Sequence, residues 1–188
     1  MSLDIHIQMN EAALAPYQSA LDRGIQQPPA QSPVQLAEQA LAHHRRLRGA
    51  QVAPFLRAHV AAIPQLAELL SDTHWRLPES ARKAFTAALA YFNDPADIIP
   101  DDASHFGLLD DAIVLELALA QHREEWRAWC EYAALRRALP EIAGINREEW
   151  LALDRSEVET ALRYAQHRVG TTVPTYGTRR ALPTFAVH

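Results

Sequence analysis

Apolar residues recur along most of this chain three and four positions apart, the spacing of one face of a helix. Asn10 suits the N-cap of a first helix that runs to about Gly24, kinked or started late by Pro16. From Val34 to Arg48 the apolar positions are Leu36, Ala37, Ala40, Leu41 and Leu47. Gly49 then punctuates before a second run of Phe55, Leu56, Val60, Ile63, Leu66 and Leu70, which Pro64 should kink or split. Pro78, a good first helical residue, opens a helix to Phe92 that ends at Asn93. A long helix is predicted from about Asp110 to Leu139, stopped by Pro140. Its stripe of His122, Trp126, Trp129, Cys130 and Ala133 forms a core-facing seam. Asn146 with Glu149, and Ser156 with Glu159, read as capping boxes for a short helix to about Leu153 and a further one to Val169, closed by Gly170.

Three stretches break this pattern. Residues 3–9 alternate apolar and polar, as in a half-buried strand; such a strand would need a pairing partner, either the tail around Phe185 or the same segment of a second copy. Residues 25–33, with Pro28, Pro29 and Pro33, read as a linker after the first helix. Residues 170–188 have no helical period and read as an irregular tail. The expected architecture is all-α: residues 1–188 as one domain, a single irregular helical bundle with its core in residues 34–169, and no internal repeat.

Composition narrows the chemistry. Of the 188 residues 48% are apolar and 22% charged, a globular balance. Eighteen Lys and Arg against 23 Asp and Glu leave a net charge of −5, which argues against bulk electrostatic binding of nucleic acid. Lys83 is the single lysine and Cys130 the single cysteine, so internal disulfides and multi-cysteine zinc sites are excluded. No apolar run approaches the roughly 20 residues of a membrane span, and no basic start precedes an apolar segment at the N-terminus. A soluble, cytoplasmic protein is expected.

The informative segment is Tyr91-Phe92-Asn93-Asp94-Pro95-Ala96-Asp97-Ile98-Ile99-Pro100-Asp101-Asp102, continuing through Ala103-Ser104-His105-Phe106-Gly107-Leu108-Leu109-Asp110-Asp111 to Leu115. It resembles the signature of the YkvA-like family, small bacterial domains of unknown function. Pro95, Asp97, Ile99, Pro100, Asp101, Gly107, Asp110 and Asp111 match that signature in type and spacing. The chain departs from it at Asp102, Ser104 and His105, where relatives carry apolar residues and a proline. The resemblance covers about 30 residues. It implies a helical domain, attached to membrane segments in some relatives, and it implies no activity.

Helix-end chemistry accounts for these residues. Asp94 would cap a short turn opened by Pro95, with Asp97 at its third position, where a carboxylate favours the positive end of the helix dipole. Ile99, before Pro100, is pushed toward extended backbone; Asp101 or Asp102 would cap a second turn that Gly107 ends in a left-handed conformation. Asp110 would then cap the long helix, with Asp111 at its first position. On this reading there is no cofactor. The alternative is a hard-cation site for magnesium, manganese or calcium, with Asp97, Asp101, Asp110 and Asp111 as ligands. It would be a new arrangement. In an EF-hand register Phe106 and Ile113 fall where oxygen ligands belong, and Glu-x-x-His, His-Glu-x-x-His and phosphate-cradling Gly motifs are all absent.

Glu116 stands alone in the apolar run Ala112–Ala120. It should reach solvent or an arginine, or else sit beside His105 as a perturbed acid able to move a proton. The basic run His43-His44-Arg45-Arg46-Leu47-Arg48 spreads around a helix, so a solvated face fits it better than a phosphate groove, and the acidic segment is its natural partner. Trp126, Trp129, Tyr132 and Trp150 read as core anchors and Cys130 as a small buried hydrophobe. These observations favour a non-enzymatic interaction or scaffold protein whose acidic loop orders helix packing, its partner another protein or a second copy of the chain. A metal-dependent hydrolase and a peripheral membrane protein are the two rival classes.

Overall fold

A computed structural model of the chain describes residues 9–47, 54–94, 98 and 107–169. Among them the architecture is all-α. Nine helices follow one another: α1 Glu11–Gln26, α2 Pro33–Leu47, α3 Pro54–Val60, α4 Ile63–Ser71, α5 Glu79–Phe92, α6 Leu109–Gln121, α7 Arg123–Ala138, α8 Arg147–Ala152 and α9 Arg155–Val169. A short 3₁₀ turn, Pro140–Gly144, joins α7 to α8.

Local chemistry explains most of the boundaries. Asn10 caps α1 by accepting the Ala13 amide at 2.9 Å, and Pro16 is absorbed inside that helix without ending it. Pro33 opens α2. Its cap is a reciprocal pair, the Ser32 amide donating to Gln35 Oε1 and the Gln35 amide to Ser32 Oγ. Pro64 does not kink one helix but helps start another: it lies in the first turn of α4, where a missing N–H costs nothing, after a two-residue turn from α3. Asn146 and Glu149 form the expected capping box of α8. At α9 the cap is Asp154, whose Oδ1 accepts the Ser156 and Glu157 amides, so the expected Ser156–Glu159 box is replaced by a cap two residues earlier.

The predicted long helix is two helices. At His122 the backbone turns to φ −124° and ψ 37°, ending α6 and starting α7 one residue later. Alternation at residues 3–8 lies outside the described residues; Met9 makes a single β-bridge. Residues 170–188 also lie outside them.

One hydrophobic core draws side chains from α1 through α9, including Leu21, Ala40, Leu66, Phe85, Val114, Trp129, Trp150 and Val158. The segment before the linker is therefore core too: α1 lies directly on α5, and a Cβ placed on Gly24 would meet the Ala87 Cβ at 2.9 Å. Only glycine permits that approach. α6 is buried almost all round, as its run of apolar residues requires. The aromatic seam packs as expected, with Trp126, Trp129, Tyr132 and Trp150 all buried. The sequence pattern had overlooked Trp75, 1% exposed, stacked on Tyr132 at 4.9 Å and donating its indole N–H to Glu125.

α4 and α7 are joined by ion pairs. Arg136 donates to Glu68 at 2.7 Å and to Asp72 at 2.6 Å, while its guanidinium lies over the rings of Trp129 and Tyr132. No helix among the described residues is long and apolar enough to cross a membrane.

Candidate functional site

The acidic connection leaves α5 at Asn93 and returns at Gly107 to enter α6. Its departure is fastened to α2: Asn93 Nδ2 donates to the Leu36 carbonyl at 3.0 Å, and the His43 ring stacks on Phe92 with centroids 4.6 Å apart. His43 Nδ1 lies 3.1 Å from the Phe92 carbonyl, which can only accept, so Nδ1 carries the proton. His43 thus belongs to the packing of the connection, while Arg45 and Arg46 of the same basic run are exposed.

The return is where the two matching aspartates sit. α6 begins at Leu109, with Leu108 at the cap position and no side-chain cap. Asp110 and Asp111 are therefore the second and third helical residues, not the cap and first residue expected. The shift matters because it turns both inward: Asp110 is 0% and Asp111 3% exposed. Unbonded amides of a first helical turn favour carboxylates there.

Asp110 is held from α5. Tyr91 Oη donates to Asp110 Oδ2 at 2.9 Å and itself accepts the Ile98 amide at 3.3 Å. The Tyr17 phenol of α1 is pushed above its ordinary value by burial and then by the charge of Asp110. One buried carboxyl thus ties α6 to α5 through the Tyr91 phenol. Neither tyrosine was singled out by sequence; the signal available was only Tyr91 at the head of the acidic segment.

With His105 outside the described residues, Glu116 pairs with no arginine among them. It is 26% exposed and pairs with His59 of α3, whose Nδ1 is 2.9 Å from Oε1 and whose side chain is 1% exposed. Sequence reading missed His59 because the apolar pattern around it predicts only a core position.

Of the other expected site residues, Asp94 is exposed just beyond α5, and Gly107 is buried in the turn before α6. Pro95, Asp97, Pro100 and Asp101 lie outside the described residues. No group of three His, Cys, Asp or Glu that could hold a metal ion occurs among the described residues. A small surface cleft lined by Arg76, Asn146, Arg147 and Glu148 includes none of the acidic segment.

Comparison with known families reaches the same stretch of chain. Residues 81–117 match the family described as "Protein of unknown function (DUF1232)". The match spans α5, the acidic connection and the first two turns of α6, and agrees with the YkvA-like resemblance of that segment. No curated protein and no solved structure matches the chain. The matched residues include the Tyr91–Asp110 contact, the buried Asp111 and Glu116.

Proposed function

We propose that the chain is a non-enzymatic helical scaffold or interaction protein whose DUF1232 segment orders the packing of α1, α2, α5 and α6. The observation that carries this reading is Asp110: a fully buried carboxyl at the start of a buried helix, engaged by the Tyr91 hydroxyl of the preceding helix. Such a group supplies orientation. A buried polar contact satisfied only in one arrangement penalises every alternative helix register, since moving either helix strands a polar atom in the core. Asn93 and His43 extend the same fastening to α2. The partner would be another protein or a second copy, with a cytoplasmic setting expected and nucleic acid disfavoured by the net charge.

The test is calorimetry on metal-stripped protein. Melting temperatures with magnesium, manganese and calcium should agree within about 1 °C, because an ordering role needs no ion. A divalent ion at about 100 times its dissociation constant would add about 2.7 kcal/mol, roughly 5 to 10 °C here. A rise of that size, abolished by Asp110→Asn, would overturn the scaffold reading in favour of a metal-dependent hydrolase. Co-sedimentation with anionic vesicles would overturn it in favour of a peripheral membrane role.

A further inference from the structure

The corner between α8 and α9 is held rigidly from beneath. Trp150 of α8 is buried against Tyr132 of α7, the rings edge to face with centroids 5.5 Å apart. The Asn146–Glu149 box caps α8, and Arg147 lies on Glu125 at 2.7 Å. α9 is fastened the same way, Arg155 reaching Glu131 of α7 at 2.8 Å. This fixed corner nevertheless keeps apolar side chains in water. Leu151 is 50% exposed, the highest of any large aliphatic side chain among the described residues, and it is followed by exposed Ala152 and by Leu153 at 37%. Leu153 stands just before the Asp154 cap, where an apolar residue ordinarily leans on the fourth residue of the helix, here the buried Val158. Leu151 has no such local role.

Charge gives the corner its sign. Residues 147–159 hold five carboxylates against two arginines, so −3 of the chain's net −5 lies in thirteen residues. Both arginines turn back to α7, onto Glu125 and Glu131. Glu148, which shares a helix face with Leu151 three residues on, makes no ion pair among the described residues, and neither do Glu157 and Glu159 of α9. A single exposed leucine is ordinary; adjacent exposed leucines beside unpaired charge of one sign, on a corner already immobilised, form a contact surface.

We propose that the α8–α9 corner docks a segment of another protein in which arginine or lysine flanks apolar side chains. The proposal rests on the interaction reading above and names the chemistry of its partner. Leu151 and Leu153 supply the apolar contact, while Glu148 and Glu157 meet the partner's cations. Little ordering is needed on this side, because Trp150 and the two ion pairs hold the corner in place. A second copy of the corner fits it badly, since −3 would face −3. The corner lies outside residues 81–117, so it belongs to this chain rather than to the family segment.

Calorimetric titration of the full chain, with amide exchange as the footprint, tests the surface. The probe is a synthetic helical peptide with a leucine face flanked by arginines; the controls are a peptide of the same composition shuffled so that its leucines share no face, and a leucine–glutamate counterpart. The probe should protect α8 and the start of α9, and neither control should. Leu151→Ser should weaken binding about tenfold, and Glu148→Gln with Glu157→Gln about fivefold with a flatter salt dependence. These positions are exposed, so the variants should melt within about 2 °C of wild type. Equal binding of the shuffled peptide, a footprint elsewhere, unchanged binding by the variants or no binding up to about 1 mM would overturn the proposal. Binding that appears only after Arg179→Glu and Arg180→Glu would overturn it in favour of the chain's own tail, and a dimer abolished by Leu151→Ser in favour of a second copy. None of these results touches the ordering role of Asp110, whose failure is read separately from the melting scans with divalent ions.

Discussion

Removing one hydroxyl measures whether the Tyr91–Asp110 contact orders the helices. Tyr91→Phe keeps the half-buried ring but withdraws the donor that lies 2.9 Å from Asp110 Oδ2. A buried polar oxygen deprived of its donor costs about 1 to 3 kcal/mol. The second bond at that hydroxyl, from the Ile98 amide, adds little because Ile98 is 48% exposed and its amide can turn to water. A loss of about 2 kcal/mol, or roughly 4 to 8 °C in melting temperature, is therefore expected for a chain of this length. Asp110→Asn keeps an acceptor for the phenol and should cost less than Asp110→Ala. The ordinary capping role would cost only about 1 kcal/mol and would be indifferent to Tyr91. The discriminating assay is a double-mutant cycle of Tyr91→Phe and Asp110→Ala, followed by urea unfolding through the helical circular dichroism signal. Groups in direct contact should couple by about 1 to 2 kcal/mol, so the double variant should be little worse than Asp110→Ala alone. Losses that add within about 0.5 kcal/mol would refute the reasoning, because they would mean that the carboxyl and the phenol act separately.

Gly24→Ala should lower stability by about 1 to 2 kcal/mol in thermal unfolding, although alanine is the better helix former by about 1 kcal/mol, because its Cβ overpacks against Ala87. Adding Ala87→Gly should relieve that clash and recover part of the loss. Arg136→Met leaves Glu68 and Asp72 without their shared guanidinium and should cost about 2 kcal/mol by urea titration. It should also flatten the acid limb of stability. Burial raises the Asp72 pKa, but the Arg136 hydrogen bond and the amides of Trp75 and His74 outweigh it, so the folded value is lowered. That support is present above the unfolded value of about 3.9 and is lost as pH falls through the folded one. Cys130 is buried, and burial, with Glu131, pushes its thiol up to about 12. At pH 8 it should resist iodoacetamide in the native protein and react only at the rate of unfolding; rapid native labelling would contradict its placement.

Periodicity alone determined the class of this fold and most of its helix boundaries. Asn10, Pro78, Asn93 and the Asn146–Glu149 box act locally, within a turn of the backbone they start or stop, so their effects are readable without knowing what lies across the core. The aromatic seam was legible for a related reason: a helix has one buried face, and Trp126, Trp129 and Ala133 share it. Position in space was not legible. The break at His122 interrupts a continuous apolar pattern, and no breaker marks it; its ring rests on Phe85, 37 residues away in sequence. Asp110 in an Asp–Asp pair looks like a cap, and only the packing of α5 on α6 makes it a buried acceptor for Tyr91. Glu116 meets His59, and Gly24 meets Ala87, because the tertiary fold closes those distances. Local propensity sets where a helix begins; which side chains lose their water, and to whom they then bind, is decided when the helices pack.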